Sequence, residues 1–141
     1  MAEYSIYKLP DDLEFWTEDR IAKAFDDPEP TYRRNIIMLK YPTPNNINKA
    51  LDDRHENIRV VTATHKNATP ANINEALDNT FSLVRFYAIR NSNANEENIN
   101  KALDDPDIRV RLSAIQNPNA TEANKEKAYN DPDLITFLLK R

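Results

Sequence analysis

Residues 46–53 read NINKALDD, residues 72–79 read NINEALDN, and residues 98–105 read NINKALDD again. The three stretches stand 26 residues apart. A fixed period of this length marks a chain assembled from repeated supersecondary units. Working outward, the same register reaches RIAKAFDD at 20–27 and NKEKAYND at 124–131. Its alanine column is Ala24, Ala50, Ala76, Ala102 and Ala128, and the large residue after each is Phe25, Leu51, Leu77, Leu103 or Tyr129. Five units follow, at approximately 17–42, 43–68, 69–94, 95–120 and 121–141. That exceeds the three or so that a stacked array needs.

Each unit reads as two short helices. The first begins at a capping column of Thr17, Thr43, Thr69, Asn95 and Thr121, whose side-chain oxygens can accept a free backbone N–H. Glu18, Pro44, Pro70, Glu96 and Glu122 come next. They suit the first helical position by charge or by fixed φ. Ile21, Ile47, Ile73 and Ile99 join the alanine and leucine columns at i, i+3, i+4 to make one apolar stripe. The turn that follows holds Asp27, Asp53, Asn79, Asp105 and Asp131, expected as N-caps of the second helix, with Pro28, Pro106 and Pro132 at its first position.

The second helix carries Tyr32, Ile58, Val84 and Val110 in one core column and Ile36, Thr62, Ala88 and Ala114 four residues on, beside Ile37, Ala63, Ile89 and Ile115. Helix ends commonly need a left-handed residue, and asparagine is the best substitute for glycine there. Asn67, Asn91, Asn93, Asn117 and Asn119 are expected to fill that position. Helices of about ten residues are marginal alone in water, so each unit must bury its stripes against its neighbours. The expected fold class is all-α, an α-solenoid of about five 26-residue two-helix repeats over 17–141, with 1–16 as an N-terminal capping segment. A leucine-rich horseshoe shares the period range, but its L-x-x-L-x-L-x-x-N strand motif is absent from the sequence.

The composition narrows the chemistry. The 141 residues include no glycine and no cysteine, 23 acidic and 19 basic residues, for a net charge of −4. Average usage of about 7% would supply roughly ten glycines. Their absence removes Gly-rich phosphate loops, dinucleotide fingerprints and the nucleophile elbow. Thiol catalysis, disulfides, thiolate zinc and iron–sulfur ligation go with the cysteines. Only His55 and His65 remain, ten positions apart, so they are no i, i+4 metal pair, and both are expected at the surface. No cofactor, no metal and no catalytic cluster are expected. The N-terminal stretch lacks a basic and apolar leader, and no apolar run spans a membrane. A cytoplasmic location follows as an expectation. The Asn-, Lys- and Ile-leaning composition fits an AT-rich coding sequence, as in many phages, where the host cytoplasm would be the setting.

The segment LDDPDIRVRLSAI at 103–115 resembles the Asp…Val-Arg signature of HEAT-like repeats. Together with NPNAT at 117–121 it is more similar still to the variant leucine-rich repeat (LRV) group, an all-helical solenoid. The resemblance covers roughly 17–141 and implies a curved stack presenting a ridge of second helices for recognition. LRV repeats are slightly shorter than 26 residues, and the cysteine-built iron–sulfur module that can accompany them has no counterpart here.

Several residue sets are candidates for function. Arg33, Arg59, Arg85 and Arg111 form a column on the second helix. They are read as an internal ladder to turn carboxylates such as Asp27, Asp53 and Asp105, with phosphate tracking as the alternative. Paired acids at Asp26–Asp27, Asp52–Asp53 and Asp104–Asp105 are read as caps and a solvated ridge, because a cation site needs converging carboxylates. On the outward columns, Val60, Val61, Leu83, Phe86, Tyr87 and Leu112 gather in the middle three units. With Arg90, Arg109, Ser113 and Gln116 around them, that mixture suits a protein interface.

Both ends also matter. Tyr4, Ile6, Tyr7, Leu9, Leu13, Phe15 and Trp16 are expected to fold over the first unit. Leu134, Ile135, Phe137, Leu138 and Leu139 at the other end have no following repeat to cover them. They suggest docking to another protein or a homodimer through the C-terminal helix. The function expected is therefore a non-enzymatic adaptor or inhibitor that binds a partner protein. Nucleic-acid binding along the basic columns is the alternative, weakened by the negative net charge.

Overall fold

The computed structural model describes residues 9–140, and every regular element among them is a helix. In chain order these are α1 (Glu18–Ala24), α2 (Pro30–Ile37), α3 (Pro44–Leu51), α4 (Glu56–Ala63), α5 (Pro70–Ala76), α6 (Ser82–Ile89), α7 (Glu96–Ala102), α8 (Ile108–Gln116), α9 (Glu122–Tyr129) and α10 (Pro132–Leu139). Each odd helix packs against the even one after it. Odd helices also touch the next odd helix from α1 to α9, and even helices the next even one from α2 to α10.

The odd helices start where the sequence places them. Thr43, Thr69, Asn95 and Thr121 accept the N–H of the third helical residue, which is Asn46, Asn72, Asn98 or Asn124. Each of those asparagines returns the bond from its own side chain to the backbone N–H of the cap. The box usually carries Glu or Gln at that third position.

Four of the five even helices start two residues later than expected, and α10 starts on Asp131 with Pro132 first, where the sequence places it. Their N-caps are Glu29, His55, Phe81, Asp107 and Asp131, with Pro30 and Pro132 at the first helical position. Asp27, Asp53, Asn79 and Asp105 instead accept the N–H two residues on, at 2.8–3.0 Å, as Asx turns do. Pro28 and Pro106 lie in the turn itself.

The expected left-handed asparagines do not occur, since no described residue has positive φ. Helices end on caps of negative φ, extended at Asn117 after α8 and near-helical at the others, closed by bonds such as Asp53 N–H to the Ala50 carbonyl at 3.1 Å. What closes the open carbonyls is the asparagine side chain of the following unit. Asn67 Nδ2 donates to the carbonyls of Lys40 and Pro42 at 2.8 and 2.9 Å. Asn93 does the same to Lys66 and Ala68, and Asn119 to Ser92 and Ala94. Asn91 bridges the carbonyls of Ala63 and His65 at 3.0 Å each, and Asn117 those of Ile89 and Asn91. A third column, Asn46, Asn72, Asn98 and Asn124, reaches the carbonyl 28 residues back. Buried backbone groups need partners, and asparagines supply them from all three columns at the second and third joints, from two at the first and from Asn124 alone at the last.

The apolar stripes close the interior. Ile21, Ile47, Ile73 and Ile99 are buried, as are all five alanines and Phe25, Leu51, Leu77 and Leu103. Tyr129 is the exception in its column, 64% exposed, with no further odd helix beside α9 among the described residues. At the other end Trp16 is buried, its Nε1 donating to the Pro10 carbonyl at 2.6 Å, with the Phe15 ring edge-on at 4.9 Å. Leu13 is exposed, while Tyr4, Ile6 and Tyr7 lie outside the described residues.

Candidate protein-binding surface

The apolar residues expected on the even-helix ridge are less open than the sequence suggests. Val60, Val61, Leu83, Phe86, Tyr87 and Leu112 are all half-buried, and all but Leu83 pack against the core. Phe86 meets Tyr87 edge-on at 5.1 Å, and the Arg90 guanidinium lies over the Phe86 ring at 5.3 Å. Side-by-side packing of even helices covers part of each outward column. Ser113 is buried outright, so its place on the ridge is corrected. Arg90, Arg109 and Gln116 are exposed. Arg109 is held by Asp107 at 2.7 Å, and its side-chain and backbone hydrogen bonds lower the Asp107 pKa to about 2.

The C-terminal set divides. Leu134 is fully buried and cannot dock anything, while Ile135 and Leu138 are half-buried. Phe137 is 48% exposed and Leu139 79% exposed. With Tyr129 they give the α9–α10 pair three large uncovered apolar side chains.

The arginine column runs from unit to unit. Arg33 Nε and Nη2 donate to Asp53 at 2.8 and 3.2 Å, while Nη1 reaches the Asp27 carbonyl at 2.8 Å. Arg85 repeats the pattern with Asp105 and the Asn79 carbonyl. Arg111 lies 2.9 Å from Asp131 and binds the Asp105 carbonyl. In each case the carboxylate stands 20 residues after the arginine. For Arg59 that position is Asn79. Arg59 keeps its bond to the Asp53 carbonyl at 2.9 Å, but its buried Nε has no acceptor. A second series lies nearer solvent, with Lys49 on Asp26, Lys101 on Asp78 and Lys127 on Asp104 at 2.7–2.9 Å.

The two histidines differ. His55 is exposed, as read from the sequence, but His65 is buried. It occupies the Asn91/Asn117 column. Its Nε2 lies 2.8 Å from the Leu39 carbonyl and its Nδ1 accepts the Asn67 N–H at 3.0 Å. Burial lowers its pKa, against the raising effect of the Leu39 carbonyl, and Lys66 pushes the same way as burial. Periodicity of asparagine itself was the sequence signal that would have placed this column, with His65 standing where the later units carry Asn.

Among the described residues no group of three His, Asp or Glu side chains could hold a metal ion, and no helix is long and apolar enough to cross a membrane. No protein-family model, curated protein or solved structure matches the chain.

Proposed function

We propose that the chain is a non-enzymatic protein-binding module, a five-unit α-solenoid of HEAT-like or LRV-like type that docks another protein. The observation that carries this is the uncovered apolar set on the last helix pair, Tyr129, Phe137 and Leu139 at 64, 48 and 79% exposed. Large apolar side chains kept together at one end mark association sites. Burying Phe137 and Leu139 in a partner would contribute about 1.5–3 kcal/mol each. The ridge of even helices adds half-buried aromatic and Arg side chains, a composition suited to an interface. Internal use of Arg33, Arg85 and Arg111 takes up three members of the column that phosphate tracking would need, which favours a protein over a nucleic acid as partner.

A tagged pull-down from native lysate, with and without nuclease, tests the reading. One stoichiometric protein surviving nuclease, and lost with Phe137→Ser/Leu139→Ser, is the expected result. Nucleic acid that elutes as salt rises would overturn it. Sedimentation of the purified chain separates a foreign partner from a homodimer through α10.

A further inference from the structure

We infer that the turn edge between α3–α4 and α5–α6 receives a partner segment carrying one acidic and one basic side chain. This rests on the protein-binding reading and narrows it to a place and a chemistry. Two ion-pair series cross the joints between units. The inner one joins Arg33 to Asp53, Arg85 to Asp105 and Arg111 to Asp131, and the outer one Lys49 to Asp26, Lys101 to Asp78 and Lys127 to Asp104. Among the described residues both series are interrupted at the same joint, between the second and third units.

On the inner series Arg59 meets Asn79. The Asn79 Oδ1 accepts the Phe81 N–H at 3.0 Å, but where Asp53 and Asp105 offer a second oxygen to the Arg33 and Arg85 Nε the amide has an NH2, a donor set against a guanidinium that is itself all donor. On the outer series the register position of Lys49, Lys101 and Lys127 is Glu75, that of Asp26, Asp78 and Asp104 is Asp52, and both carboxylates are exposed. One joint thus presents a cation without its counter-ion beside two like charges without theirs. The third unit departs in two more positions. Phe81 and Leu83 are both half-buried; Phe81 stands where the other units carry Glu29, His55, Asp107 and Asp133, and Leu83 where all but the last, with Ile135, carry a polar residue.

These features select the occupant. A free anion or cation would satisfy one of the two interrupted series and leave the other. A polypeptide segment with a carboxylate for Arg59 and an ammonium or guanidinium for Asp52 and Glu75 satisfies both, and the Phe81–Leu83 flank gives it apolar surface to bury. Charge complementarity of this kind sets specificity and register at interfaces.

The test uses the full chain and a displayed library of random twelve-residue peptides. Glu75→Lys/Asn79→Asp installs the residues that neighbouring units carry, so the variant keeps its helicity and melts about 3–5 °C higher. Peptides enriched on the parent chain are expected to contain an Asp or Glu and a Lys or Arg, and to bind the variant at least tenfold more weakly. Arg59→Gln should weaken them as well, which guards against a folding defect in the double variant. Enriched peptides that bind parent and variant equally, or that share no charge pair, overturn the inference. So does self-association that the double substitution removes, since the occupant would then be a second copy. A lysate partner held equally by parent and Glu75→Lys/Asn79→Asp, yet lost with Phe137→Ser/Leu139→Ser, keeps the protein-binding reading and removes this one.

Discussion

Asn91 reaches back across one joint and donates its side-chain amide to the backbone carbonyl of His65 at 3.0 Å, while its other N–H serves the Ala63 carbonyl at the same distance. Its Oδ1 accepts the Asn93 N–H at 2.9 Å. One buried amide therefore satisfies three backbone groups belonging to two units.

Removing it strands the Ala63 carbonyl at the end of α4 and one N–H after α6, and leaves the His65 carbonyl with the Ala68 N–H alone. Each buried unsatisfied group costs about 1–3 kcal/mol, so Asn91→Ala should destabilise the chain by about 3 kcal/mol. Asn45→Ala, on an exposed position of α3, should stay within about 0.5 kcal/mol. Urea midpoints of the two variants measure the contrast. Equal midpoints would mean that water replaces the amide at no cost.

The His65 ring makes the preceding joint, between the first and second units, sensitive to acid. Its Nδ1 accepts a backbone N–H, so a second ring proton would point at another donor. The charged group that acts on it, Lys66 on its own loop, is a cation and opposes protonation. An unfolded imidazole takes its proton near pH 6.5, whereas burial lowers the pKa in the fold. Stability is then complete above about pH 6.5 and falls as pH drops from there through the folded pKa, by at most about 1.4 kcal/mol per pH unit. His65→Asn restores the residue used at 91 and 117 and should flatten this part of the curve. Parallel pH profiles of melting temperature between about pH 7.5 and 5 decide it, because ordinary carboxylates titrate mostly below that window.

The period, the ten helices and the odd-helix caps were legible because a 26-residue repeat multiplies each weak local signal. The starts of α2, α4, α6 and α8 lie two residues beyond the expected ones while α10 starts on Asp131 as expected, since Asp27, Asp53 and Asp105 satisfy both the capping and the Asx-turn patterns. Only the tertiary path of the chain chooses between those patterns. The asparagines were assigned a backbone conformation that a glycine-poor chain seemed to need. Their actual partners lie 25–28 residues back, a distance that local rules do not reach. Exposure on the ridge was overestimated for a related reason: the sequence gives each helix its outward face, but the closeness of the neighbouring even helix decides how much of Phe86 or Ser113 remains open.

The inner ion-pair series should contribute more than the outer one. Arg85 and Asp105 are nearly enclosed, at 14 and 6% side-chain exposure. Asp105→Asn keeps an oxygen for the Asp107 N–H, as Asn79 does for Phe81, and removes only the charge. It leaves Arg85 in the state of Arg59 and should cost about 2–3 kcal/mol. Lys101→Ala breaks an outer, largely exposed pair and should cost under about 1 kcal/mol. Raising salt to 1 M should erase the second effect and leave most of the first. Denaturation at low and high salt therefore separates an enclosed ladder from a solvated one.

Two classes of apolar residue should respond differently to truncation. Phe86 packs on the core and on Tyr87, under the Arg90 guanidinium. Phe86→Ala should weaken partner capture and also lower stability by about 2 kcal/mol, less than the cost at a fully buried site. Leu139 is 79% exposed, so Leu139→Ser should leave the melting temperature within about 2 °C while reducing partner affinity at least tenfold, the loss of about 1.4 kcal/mol of buried apolar contact. Helicity and melting curves, read beside titrations of the captured partner, make the distinction. A Leu139 variant that binds normally would move the docking site off the last helix pair and onto the ridge, where a Phe86 effect beyond its stability cost would locate it.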